Sequence, residues 1–200
     1  FFKDLVKSGH DVGSHGWSHI RPMTLTIDEF RSELNRCRDI MKAINGERGF
    51  GYRAPCFSLD RERLEIVRDA GFAFDSSRIE FGNHPLYGSI DMHGYDKYSE
   101  AIYRYKNFIE FETTTHSVLH KNIPISGGGY LRIFPWFMMK SLVSQYLKTN
   151  NIYVLYIHPF ELSKLNVPPL PRSTSTLTKF RFAFGRMSVE EKIKRLVNLL

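Results

Sequence analysis

Apolar positions along this chain switch between two periods. Over 27–44, Phe30, Leu34, Cys37, Ile40, Met41 and Ile44 recur at steps of three and four, with Ser32, Asn35, Arg36, Asp39 and Lys42 between them. That spacing predicts an amphipathic helix. Thr26, three residues before Glu29, has the pattern of a capping box, and Asn45-Gly46 supplies the stop. The stretch 49–55 reads as a short strand running into a loop. Ser58 or Asp60 then opens a second helix, with Leu64, Ile66, Val67 and Ala70 as its apolar side and Gly71 as its end. Phe72-Ala73-Phe74 is a short strand, followed by Asp75-Ser76-Ser77 at its C-terminal end. Residues 108–113 alternate as a strand does. Pro135 opens a helix over 136–147. Residues 151–157 are almost continuously apolar and β-prone, the composition of a buried central strand. Ser188 and Glu191 predict a capped final helix over 189–199. Strand, helix, strand, with polar residues collecting after each strand, predicts a parallel α/β sheet or barrel with its chemistry at the strands' carboxyl ends.

The remaining segments are less regular. Residues 82–106, rich in Gly, Tyr, His and Asp, read as an inserted loop or hairpin. Gly127-Gly128-Gly129-Tyr130 is no P-loop, because no Gly-Lys-Ser/Thr follows; a turn beside a ligand and a plain turn both remain open. Residues 1–9 read as the back half of a helix ending at Gly9, as expected of a chain that begins inside a longer protein. No internal repeat is evident.

At 200 residues the chain suffices for one substantial domain, and 42% hydrophobic with 14% aromatic residues argues against wholesale disorder. No run approaches the roughly 18 apolar residues of a membrane span. The formal charge is +7, with the densest basic stretch near Arg172, Lys179, Arg181 and Arg186. A nucleic-acid or anionic membrane surface rests on that charge alone, and a solvated basic tail accounts for it without a recognition module. We therefore expect no nucleic-acid partner. Residues 167–178 read as a surface loop or tether, and 167–200 as a basic C-terminal loop and helix within a single 1–200 domain. Cys37 and Cys56 form neither a zinc-type pair nor a disulfide framework.

Candidate chemistry centres on Gly9-His10-Asp11-Val12-Gly13-Ser14-His15-Gly16-Trp17-Ser18-His19. On one helical turn, His15 and His19 would point to one side and could share a metal ion. A catalytic zinc usually takes three protein ligands and leaves a position for water, so two histidines make an incomplete site. Two ordinary polar loop histidines are the alternative. Arg53, Asp75 and His158 join them at predicted strand ends, and each alone has a structural explanation: surface arginine, helix cap, backbone-satisfied histidine.

Taken together, these segments resemble the polysaccharide deacetylases, the carbohydrate esterases built on the NodB homology domain. The histidine segment is similar to the family's metal motif, Tyr52-Arg53-Ala54-Pro55 to its Arg-x-Pro motif, Phe74-Asp75-Ser76-Ser77 to its acidic motif, and Tyr156-Ile157-His158-Pro159 to its final histidine motif. The branch associated with bacterial exopolysaccharide export is suggested by Arg53-Ala54-Pro55-Cys56-Phe57-Ser58, Ser126-Gly127-Gly128-Gly129-Tyr130 and His158-Pro159-Phe160-Glu161. The resemblance implies a distorted (β/α) barrel lacking its first strand or strands. It also implies Zn2+ or another divalent ion such as Co2+, and hydrolysis of N-acetyl groups on N-acetylhexosamine units of a polysaccharide. A catalytically inert glycan-binding relative and a small-molecule amidase on the same fold are the alternatives.

By carry-over, His15 and His19 would hold the metal and His158 would be the general acid. Asp75 would orient His158, and Arg53 would hold the catalytic carboxylate. The backbone N–H of Cys56 is a candidate oxyanion donor. Trp17, Tyr130 and Trp136 could stack on sugar rings, with core packing the alternative for Trp136. The family's first motif, an Asp-Asp pair supplying a base and a third ligand, has no counterpart before His15. Asp4 lies in the presumed helix and Asp11 between the glycines. Truncation or loss of catalysis would each explain this, and the chain alone is expected to bind metal weakly and to hydrolyse slowly or not at all. Gly16 stands where the wider family commonly has Ser or Thr. The branch resemblance suggests a bacterial protein working in the cytoplasm or at the envelope, with any targeting segment upstream of Phe1.

Overall fold

The computed structural model describes residues 1–81, 84–163, 170 and 174–200. Of the expected tether, 167–178, residues 167–169 and 171–173, Arg172 among them, lie outside the described residues, whereas Thr176–Thr178 open a helix rather than continuing a loop. The chain forms two compact units, Phe1–Glu112 and Thr113–Leu200.

The first unit is built on a five-stranded sheet of order β1-β2-β5-β4-β3. β1 (Gly51–Tyr52), β2 (Phe74–Asp75) and β5 (Phe108–Phe111) run parallel, as expected of alternating strands and helices. Beyond β5 the sheet turns antiparallel through β4 (Ile102–Tyr105) and β3 (Asp96–Ser99). The segment expected to be a loop or hairpin therefore supplies a hairpin at the sheet's edge. A parallel bridge from Ser14 to Tyr52 brings the histidine segment alongside β1.

The helices follow their apolar stripes. After α1 (Phe2–Lys7), the predicted long helix is α2 (Ile27–Asn45), and its capping box forms: Glu29 N–H donates to Thr26 Oγ1, and Glu29 Oε2 accepts from Thr26 N–H at 2.8 Å. Asp60 rather than Ser58 caps α3 (Arg61–Asp69), its Oδ1 accepting from Arg63 N–H at 2.9 Å. Phe30 and Leu34 of α2, and Leu64, Ile66 and Val67 of α3, pack with Phe50, Tyr52 and Phe72 in the first core. Burial of such side chains stabilises by about 1.5–3 kcal/mol each.

The second unit contains the hairpin of β6 (Thr115–Val118) with β7 (Lys121–Pro124). Its helices are α4 (Gly128–Ile133), α5 (Trp136–Tyr146), α6 (Pro159–Leu162), α7 (Thr176–Ala183) and α8 (Val189–Val197). Ile125, Leu131, Met139, Val143, Tyr146, Val189 and Leu196 form its core.

Three expectations change here. The glycine run starts a helix. Residues 152–157 are extended but only half-buried. Their hydrogen bonds go to Thr114, Ser126 and Gly128, including Tyr156 N–H to Ser126 O at 2.9 Å and a single bridge to Gly127. Scattered partners make no regular ladder, so an apolar run alone did not define a central strand. Finally, Ser188 precedes α8 without capping it, because its hydroxyl donates to Gly185 O at 2.8 Å.

Candidate metal and catalytic site

The histidine segment is anchored on both sides. Ser14 N–H donates to Gly51 O at 2.8 Å and Arg53 N–H donates back to Ser14 O at 2.9 Å. Farther along, Glu33 Oε2 of α2 accepts from both Ser18 N–H (2.9 Å) and Ser18 Oγ (2.8 Å). Between these anchors the backbone is a loop and not a helical turn: φ is +84° at Gly16 and +58° at His19. The loop nevertheless brings the two imidazoles together, with ring centroids 5.0 Å apart and planes at 66°. His15 Nδ1 lies 2.7 Å from Arg53 O. A carbonyl can only accept, so Nδ1 carries a proton; in the neutral ring the lone pair is then on Nε2, one of the two nitrogens through which histidine binds metals.

The metal implied by the resemblance fits this pair: two imidazoles on one exposed loop, one with its tautomer set, supply two of a catalytic zinc's usual three protein ligands. No cluster of three or more His, Cys, Asp or Glu suited to a metal occurs among the described residues.

Arg53 heads a tight turn. Phe57 N–H donates to Ala54 O and Ser58 N–H to Pro55 O, while Cys56 and Phe57 take left-handed φ values of +55° and +52°. Successive non-glycine residues in that region carry strain, which the surroundings must offset. The Arg53 guanidinium does so with both arms on Ser76: Nε to its carbonyl at 2.8 Å and Nη2 to its hydroxyl at 2.6 Å. Ala54 N–H donates to Ser77 Oγ at 2.8 Å. The exposed Cys56 takes part in neither hydrogen bond that closes the turn.

Asp75 is wholly buried at the end of β2. Its Oδ2 accepts from Ser77 N–H at 2.7 Å and its Oδ1 from Ser77 Oγ at 2.9 Å. Glu110, its register partner on β5, is equally buried. Burial pushes both carboxyls up; Glu110 rises furthest, because the Asp75 charge adds to its desolvation. Glu112 pairs with Arg78 at 2.7 Å, and Arg78 N–H donates to Glu110 Oε1 at 2.8 Å.

In the second unit, His158 is exposed at the N-terminal end of α6, and its N–H donates to Glu161 Oε2 at 2.9 Å. The same oxygen lies 3.7 Å from His158 Nδ1, and Glu161 Oε1 lies 3.0 Å from Arg132 Nε. Burial pushes Glu161 up, but bonding from His158 and the charge of Arg132 outweigh it and hold the carboxyl below its ordinary value. Trp17 is half-exposed with the Arg36 guanidinium 4.7 Å above its ring. Tyr130 and Trp136 pack against the second core.

Sequence reasoning brought out His15, His19, Arg53, Asp75 and His158 but missed Ser76, Ser77, Glu110, Arg132 and the role of Glu161. Glu110 had a readable signal: it shares the phase of Phe108 on an alternating strand, placing a carboxyl on the buried face.

Residues 1–74 match the polysaccharide deacetylase family model, and residues 76–200 match the domain of unknown function DUF3473. A peptidoglycan deacetylase of Helicobacter pylori is 31% identical over 85 residues, 42% of this chain and 29% of that protein. A peptidoglycan deacetylase-like protein of Gibberella zeae is 28% identical over 75 residues, 38% of this chain and 22% of that protein. The chain thus spans less than a third of the length of these curated relatives. A solved structure from Mycobacterium smegmatis, described as a candidate polysaccharide deacetylase, shares the fold with a TM-score of 0.52 at 14% identity. That match covers 98% of this chain and 59% of the other. The two family models meet between residues 74 and 76: the chain belongs to the DUF3473 family, whose model matches more than half of it, and its N-terminal part is similar to the polysaccharide deacetylases.

Proposed function

We propose that the chain is part of a metal-dependent hydrolase that removes N-acetyl groups from N-acetylhexosamine units of a bacterial polysaccharide, with both units serving one deacetylase domain. The observation that carries this reading is the His15–Arg53 hydrogen bond, which sets a ligand tautomer beside His19 in a chain of this family. The DUF3473 match and the glycine and His-Pro-Phe-Glu motifs favour an exopolysaccharide over other polymers.

A bound Zn2+ or Co2+ would supply Lewis acidity toward the acetamide carbonyl and its attacking water. His15 and His19 would hold the ion. The Arg53–Ser76 fork keeps the adjoining turn in its strained shape, so that the Cys56 N–H can donate to oxygen as negative charge builds there. Exposed His158 would deliver a proton to the departing sugar amine, general-acid work that an imidazole side chain can perform. Its described carboxylate neighbour is Glu161; orientation by Asp75 is a separate proposal. Trp17, stiffened by Arg36, offers a face for a sugar ring, and Tyr130 is a second candidate.

Having only two nitrogen donors, with no larger ligand cluster among the described residues, favours a second reading: a catalytically inert glycan binder. Anomalous scattering at the zinc edge, on crystals grown with zinc, tests the metal site. The proposal expects a peak about 2.0–2.1 Å from nitrogens of His15 and His19. Absence of that peak, together with glycan binding indifferent to chelators and to His158→Ala, would favour the inert binder. Acetate release from N-acetylated oligosaccharides tests the reaction itself.

A further inference from the structure

Asp75 and Glu110 face each other across the β2–β5 ladder with neither exposed to solvent. Two ionised carboxylates in that position would repel without water to screen them. The hydrogen bonding separates their roles. Both Asp75 oxygens accept from Ser77, as ionised oxygens do. Glu110 Oε1 accepts from Arg78 N–H, while Glu110 Oε2 is buried with no protein donor directed at it among the described residues. A carboxylate oxygen in that state would lack compensation for its lost hydration; a protonated one would be a donor needing an acceptor, and the register partner Asp75 offers one.

We propose that Glu110 is a positioning residue whose carboxylic acid donates to the Asp75 carboxylate, and that this pair clamps the Arg53–Phe57 turn through Ser77. The path is short and continuous. Ser77 Oγ donates to Asp75 Oδ1 at 2.9 Å and accepts from Ala54 N–H at 2.8 Å. Ser76, between the two acidic-motif residues, takes both arms of Arg53 and donates its own hydroxyl to Phe111 O of β5 at 2.8 Å. Arg53 O then receives the His15 Nδ1–H. The pair thus holds a turn with two left-handed residues against the sheet, and the turn in turn sets a histidine tautomer. Glu110 touches neither substrate nor metal in this scheme. The clamp stands without the deacetylase reading, and its bearing on metal affinity rests on that reading.

Infrared difference spectroscopy on the full chain at neutral pH, wild type against Glu110→Gln, tests the proton. A carboxylic-acid carbonyl band should be present in wild type and absent from the variant; identical spectra would overturn the proposal. Amide hydrogen exchange at Ala54 tests the clamp. Glu110→Gln can still donate to Asp75 and accept from Arg78, and should retain wild-type protection. Glu110→Leu should exchange on the order of tenfold faster or more and lose about tenfold in Zn2+ affinity. Unchanged Ala54 exchange in Glu110→Leu would overturn the clamp. If Glu110→Leu does not fold, Ser77→Ala takes its place: faster Ala54 exchange with the carboxylic-acid band intact supports the clamp, and unchanged exchange rejects it. Absence of Zn2+ binding by wild type would count against the proposed function, leaving infrared and exchange to decide the role of Glu110.

Discussion

His15 Nδ1 lies 2.7 Å from the carbonyl oxygen of Arg53, 38 residues along the chain. This contact joins the family's histidine motif to its Arg-x-Pro motif, and it uses the Arg53 backbone while the guanidinium is occupied with Ser76. Arginine here works as a fork that shapes a turn, and the turn presents a carbonyl to the histidine.

Replacing Arg53 with lysine keeps the charge but loses the two-armed geometry. We expect Arg53→Lys to lower the melting temperature and to weaken Zn2+ binding about tenfold, as loss of a supporting partner of a ligand does. Calorimetric titration against His15→Ala, which should abolish that binding, gives the scale. Wild-type affinity in Arg53→Lys would show that the turn holds its shape without the fork.

Glu161 and Arg132 form a buried ion pair whose carboxylate also takes the His158 N–H. Removing one charge leaves the other uncompensated at a cost of about 3–5 kcal/mol. Glu161→Gln should therefore show a large fall in urea midpoint. On the proposed function, with His158 as the proton donor, it should also change the pH dependence of acetate release.

Gly128 sits against the same carboxylate, so a Cβ built there would fall on Glu161. Gly128→Ala should destabilise by about 1–3 kcal/mol through overpacking, read by thermal unfolding. A neutral result would mean that the ion pair can shift without loss.

The two buried carboxyl systems predict opposite pH effects. Glu110 is held above its unfolded-state value by burial and by Asp75, so its contribution to stability is full at low pH and is lost as pH rises through its folded pKa. Glu161 is held below its unfolded-state value, so its contribution is present above that value and is lost as pH falls through the folded pKa. Urea unfolding across pH should show Glu110→Gln removing the alkaline loss. The groups around Glu110 in that titration are Asp75, Arg53, Glu112, Arg78 and Tyr95.

Local signals were legible where the physics is local. Helical spacing and the Thr26–Glu29 box defined α2, Ser58 or Asp60 marked the start of α3 with the structure deciding for Asp60, and the strand-helix-strand order indicated parallel pairing of β1 with β2. The motifs also marked His15, His19, Arg53, Asp75 and His158. Four-residue spacing would bring the histidine pair together on a helical turn; the segment is instead a loop with positive φ at Gly16 and His19, anchored at Ser14 and Ser18, and it still brings the two rings together. The 151–157 run misled because burial depends on which neighbours complete a ladder, and those neighbours lie far away in sequence. The sequence by itself determined periodicity, caps and the chemical inventory. Only the tertiary structure decided which carboxyl faces which: Glu110 meets Asp75, and Glu161 meets Arg132 and His158, through strand register and close packing, and burial converts those meetings into shifted protonation.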